Sequence, residues 1–175
     1  MYKFIKNGLD NNNLMLTTPY ILKAELLNCL SKYNEAYAQA QQLYEMYKSV
    51  KKEDHEIFGR IYTQTARSEL GLNKIDQALE HINKAISIFL ADEARNPKDQ
   101  DYSEDPELAL AYVVKGDIMS VVSDMKMALE SYHKAYTIYY YLYRNNRKNV
   151  AQVSYLYTQG AKAACRSQDL TNYKF

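Results

Sequence analysis

At 175 residues the chain has the length of one domain, and enough of it to bury a sizeable core. An apolar content of 47% with 25% charged residues excludes general disorder. A net charge of +1 excludes the broad electrostatic pull that draws basic proteins to nucleic acid or anionic membranes.

Residues 1–16 read as an N-terminal segment, with Asp10-Asn11-Asn12-Asn13 as a loop signal. Met1 to Lys6 has no apolar stretch of signal-peptide length, and no run of 18 apolar residues follows. The expectation is a soluble, cytoplasmic chain. Thr17-Thr18-Pro19 opens the first clear helix, with Thr18 as N-cap and Pro19 at the first helical position. Ile21, Ala24, Leu27 and Leu30 carry its period to about Ser31. A second helix covers about 34–52 with Ala36, Ala40, Leu43 and Tyr47 on one face, and the short turn makes the two antiparallel.

The unit then recurs. Residues 54–71 form a helix stopped by Gly71, and 75–95 form its partner around Ala78, Ile82, Ala85 and Phe89. Asp105-Pro106-Glu107 combines a cap, a first-position proline and an early acid, and starts a helix that runs to about 122. Its partner covers about 125–145, and a last helix covers about 149–167. The count is seven helices in units of about 17–53, 54–103 and 104–148, with a partial unit over 149–175.

Four pairs carry the repetition: Tyr20/Ala24, Tyr62/Ala66, Tyr112/Gly116 and Tyr157/Ala161. In the first three, alanine follows 12 residues after the small residue, at Ala36, Ala78 and Ala128. Small residues let two helix axes approach closely, so each such pair marks a hairpin crossing. The tyrosines are spaced 42, 50 and 45 residues apart.

This pattern resembles the tetratricopeptide repeat, whose unit of about 34 residues places an aromatic, a small residue and an alanine in this order. The longer spacing, together with Asp54-His55-Glu56 and Asp105-Pro106-Glu107, is similar to the kinesin-light-chain type. The resemblance implies an all-α, right-handed solenoid of antiparallel hairpins that binds a protein or peptide in its concave groove. It implies groove positions at Glu25 and Asn28, at Arg60, Gln64 and Arg67, at Asp117 and Ser120, and at Lys162. Family members that clamp chaperone tails need Lys, Asn and Arg where this chain has Ile21, Glu25, Leu110 and Val114, so that clamp is not expected.

No phosphate-binding glycine loop, nucleophile elbow or HExxH motif occurs. His81 and His133 read as solvated helix residues, and Cys29 and Cys165 as small fillers. Among Tyr132, Tyr136, Tyr139, Tyr140, Tyr141 and Tyr143, some must be core and at least one exposed, because consecutive helical residues point different ways. The expectation is a non-catalytic scaffold with no cofactor or metal. Its partner is a protein or peptide, not nucleic acid or membrane. The alternatives are self-association as a homo-oligomer, or a sensory domain of a larger protein.

Overall fold

The computed structural model describes residues 14–48, 51, 54–95, 103 and 105–146. These form an all-α fold with six helices: α1 Leu14–Cys29, α2 Tyr33–Tyr47, α3 Glu56–Gly71, α4 Ile75–Arg95, α5 Pro106–Val121 and α6 Met125–Asn146. The helix expected over 149–167 lies outside the described residues, and with it Lys162.

The helices pair in sequence as hairpins, α1 with α2, α3 with α4, and α5 with α6. Across the unit boundaries α2 packs on α3 and α4 on α5. The first helices also touch one another, α1 with α3 and α3 with α5, while the second helices make no comparable contact. The central helix α3 is therefore enclosed on most sides. Its buried hydroxyls are satisfied within the helix, Thr63 donating to the Gly59 carbonyl (2.8 Å) and Thr65 to that of Ile61 (2.9 Å).

The repeat is written most sharply in the hairpin turns. Ser31, Asn73 and Ser123 have φ of 58°, 59° and 64°, the left-handed region. After each, the next backbone N–H reaches back into the helix: Lys32 to Leu27, Lys74 to Glu69, and Asp124 to Met119, at 2.9, 2.8 and 3.0 Å. These are Schellman turns at equivalent positions, and they satisfy carbonyls that a helix end leaves open. Among the described residues no glycine takes the left-handed role. Left-handed backbone costs a serine about 1–2 kcal/mol, which glycine avoids at an entropic cost of about 0.5–1 kcal/mol. Ser123→Gly is thus expected to raise stability by up to about 1 kcal/mol, and Asn73→Gly by less, since asparagine tolerates this region. Thermal melts of the two variants provide the check.

Two local expectations are corrected. The helix expected to open at Pro19 begins at Leu14, and Pro19 lies inside it. Leu14, Met15 and Leu16 are good helix formers, and the proline removes only its own N–H from the ladder. Gly71 does not stop α3 from beyond its end; it is the last helical residue, and Asn73 makes the left-handed turn. A Cβ at Gly71 would lie 2.3 Å from the Tyr33 ring, so this glycine admits an aromatic side chain from α2. His55 caps α3, its Nδ1 accepting from the Ile57 N–H at 3.3 Å, while Asp54 accepts from Arg95 of α4 at 2.9 Å. At α5 the expected cap is present, Asp105 accepting from the Glu107 N–H at 2.8 Å with Pro106 next.

The paired small residues Ala24, Ala36, Ala66, Ala78 and Ala128 are all fully buried. At Gly116 the vacant Cβ position is taken by the ring of Tyr132, not by Ala128: a Cβ there would lie 2.4 Å from Tyr132 Cε1. Phe89 fills the same kind of space over Gly59. Of the α6 tyrosines, Tyr132 and Tyr139 are core, Tyr140 is exposed, and Tyr136 and Tyr141 are half-buried.

Candidate functional site

The first helices α1, α3 and α5 lie side by side, and on their shared face lie the expected groove residues Glu25, Asn28, Arg60, Gln64 and Arg67. Within it the side chains sort into two depths.

The deeper set is a polar knot between α1 and α3. Asn28 Nδ2 donates to the Gln64 carbonyl at 3.1 Å and to Gln64 Oε1 at 3.2 Å. The Ser68 hydroxyl lies 2.9 Å from both Asn28 Oδ1 and the Gln64 carbonyl. All three side chains are buried. Asn28 and Gln64, expected to line the groove, instead join the first two units from inside. A hydrogen-bonded amide in this setting is costly to unmake, because each partner left alone keeps its desolvation penalty.

The shallower set is ionic. Arg67 Nη1 lies 4.0 Å from Glu25 Oε1 of α1, and its Nη2 donates to Cys29 Sγ at 3.7 Å. Cys29 is exposed, not the apolar filler expected. Arg60 Nε lies 3.0 Å from Glu107 Oε1 of α5, an ion pair whose angle departs from that of a hydrogen bond. Thus Arg60 and Arg67 each tie α3 to a neighbouring first helix, one on either side.

Burial pushes the Glu107 carboxyl above the usual carboxylate range; Arg60 opposes the rise, and Asp105, Glu25 and Glu56 add to it. Burial likewise pushes the Tyr139 phenol far up, with Glu107 and Glu25 raising it further and Arg67 opposing. One electrostatic neighbourhood therefore spans α1, α3, α5 and Tyr139 of α6. It holds Glu25, Glu56, Asp105 and Glu107 against the cations Arg60 and Arg67, an excess of negative charge.

Asp117 and Ser120 sit apart from this set and attend to the third hairpin. The Tyr132 hydroxyl donates to Asp117 Oδ1 at 2.8 Å and lies 3.3 Å from the Ser120 hydroxyl.

Sequence reasoning missed a buried acid. Glu69 is 1% exposed, and its Oε2 lies 2.7 Å from His81 Nδ1. The His81 ring also stacks on Tyr62, centroids 5.5 Å apart. A signal for this pair was present: 12 residues separate Glu69 from His81, as they separate Ala66 from Ala78 and Ser120 from Tyr132. In the first unit the counterparts are Leu27 and Gln39. With leucine in place of the acid, Gln39 is buried and its Nε2 has no hydrogen-bond partner among the described residues.

Among the described residues no cluster of His, Cys, Asp and Glu could hold a metal ion, and no helix is long and apolar enough to cross a membrane. No protein-family model matches the chain, and no curated protein matches it.

Proposed function

We propose that the chain is a non-catalytic scaffold, a right-handed solenoid of tetratricopeptide-like hairpins that binds a protein or peptide segment on the face of its first helices. The observation that carries this reading is the unequal packing of the two helix sets. First helices touch across unit boundaries, and second helices make no comparable contact. An array packed closer along one edge curves toward that edge, which makes α1, α3 and α5 the inner, concave wall. Stacked helical hairpins use such concave surfaces for binding.

The charges on that wall favour one class of partner. Both arginines are already paired with Glu25 and Glu107, and carboxylates outnumber them. A segment bearing Lys or Arg relieves this excess, whereas an acidic segment adds to it. Selection from a random peptide library tests the reading. Enriched peptides are expected to be basic, to bind more weakly as salt rises, and to lose binding to a Glu25→Gln/Glu107→Gln variant. Failure to enrich any sequence, or equal binding by the variant, overturns it.

A further inference from the structure

The left-handed turn residues set the units in register. Aligning Asn73 with Ser123 places Glu107 of α5 where α3 has Ile57, and Tyr139 of α6 where α4 has Phe89. In the second unit both positions are buried hydrocarbon, and the Phe89 ring fills the space over Gly59. The third unit thus carries a carboxylate and a phenol at two places that its neighbour fills with core. Tyr139 is only 6% exposed, so its ring packs as Phe89 does. Its hydroxyl is surplus to that packing.

The two added polar groups are neighbours that do not bond to each other. After burial itself, the Glu107 carboxylate does most to raise the Tyr139 phenol, which places both in one neighbourhood. Yet among the described residues the Tyr139 hydroxyl has no hydrogen-bond partner. Glu107 is paired there only with Arg60, at 3.0 Å and off the angle of a hydrogen bond. A carboxylate offers about four acceptor sites, and one arginine nitrogen leaves most of them open. A buried hydroxyl without a partner is costly, and a group that reaches hydroxyl and carboxylate together relieves that cost. Glu25 and Asp105 also act on this place, with Arg67 opposing, so the balance of charge selects a cation. Among the described residues no acidic cluster could hold a metal ion, so the cation is an organic one with several N–H donors. A guanidinium is a flat fork that serves two acceptors at once, whereas an ammonium acts as a point charge.

We infer that the place between Glu107 and Tyr139 takes the guanidinium of an arginine in the bound segment. One N–H goes to the carboxylate and another to the phenol oxygen. This rests on the reading of the first-helix face as a surface for a basic segment. It adds which side chain is recognised there, and that a second helix takes part in recognising it.

Calorimetric titration of the full chain with a blocked peptide of four Gly-Arg repeats, and with its Gly-Lys counterpart, tests this. The arginine peptide is expected to bind about tenfold tighter than the lysine peptide. Tyr139→Phe is expected to weaken the arginine peptide by about tenfold and to leave the lysine peptide nearly unchanged, so that the preference disappears. Removing the hydroxyl removes no charge, so the fall of affinity with salt should keep its slope. Glu107→Gln should weaken both peptides. Phe89 stands at the equivalent place, so Tyr139→Phe should melt with the wild type by circular dichroism. Equal binding of the arginine peptide to wild type and Tyr139→Phe overturns the inference and leaves the basic-segment reading intact. So does equal affinity of the wild type for the two peptides. A Tyr139→Phe chain that loses both peptides alike would mean that the hydroxyl acts through the fold, which also overturns the inference. If neither peptide binds the wild type, both readings fall.

Discussion

His81→Leu is expected to lower the unfolding free energy by about 3 kcal/mol, because it leaves a buried acid without its partner. Glu69 is 1% exposed, and His81 is its closest polar neighbour, at 2.7 Å. Removing the ring also removes the aromatic face stacked on Tyr62. The informative experiment is the double variant. The repeat counterparts of Glu69 are Leu27 and Met119, so Glu69→Met restores the residue type used elsewhere at this place. His81→Leu/Glu69→Met should recover most of the loss, since replacing a buried polar pair by apolar residues is often close to neutral. Urea denaturation of the four proteins closes the cycle. Additive effects would show that the two side chains do not support each other.

Gly116→Ala is the second large effect. Alanine in a helix is favoured over glycine by about 1 kcal/mol, which would normally make this substitution stabilising. Here the new methyl would stand 2.4 Å from Tyr132 Cε1 and 2.6 Å from Cδ1. The ring cannot swing away cheaply. It is fully buried, and its hydroxyl is held by Asp117 and lies beside Ser120. Overpacking costs typically about 1–3 kcal/mol, so the balance is a loss, read as a fall in melting temperature of about 2–4 °C per kcal/mol. Gly71→Ala is the contrast. Its methyl would meet the Tyr33 ring just as closely, but Tyr33 is half-buried and its hydroxyl donates only to the exposed Ser31 at 3.2 Å. That ring is less firmly held, so the substitution should cost less than Gly116→Ala.

The difference between these two glycines indicates what the sequence made legible. The spacing of Tyr62, Ala66 and Ala78 predicts the hairpin register, and the helix over 75–95 is found at those bounds. Asp105-Pro106-Glu107 marks its helix start because capping is a local event, decided by a few adjacent residues. Pro19 and Gly71 misled because each also suits a role that depends on what lies beyond the element. Asn28 and Gln64 are polar residues on the expected groove face, and polarity alone suggests water. Their burial follows from a match between two helices, which no single helix period records. His81 and Glu69 are alike in this, each unremarkable until the other stands across the hairpin.

The knot of Asn28, Gln64 and Ser68 also bears on the order of the units. Unit boundaries in this chain differ chemically: α3 presents amide and hydroxyl groups to α1, while the matching positions of α5 are Val114 and Ile118. If the third unit were to dock directly on the first, Asn28 would meet two aliphatic side chains, and its amide oxygen would lose the hydroxyl that Ser68 donates to it. The second unit is the one whose face answers it. A chain built from similar pieces thus carries an address at its first junction, and a permuted copy, or an exchange of units between molecules, is disfavoured by that single unanswered amide.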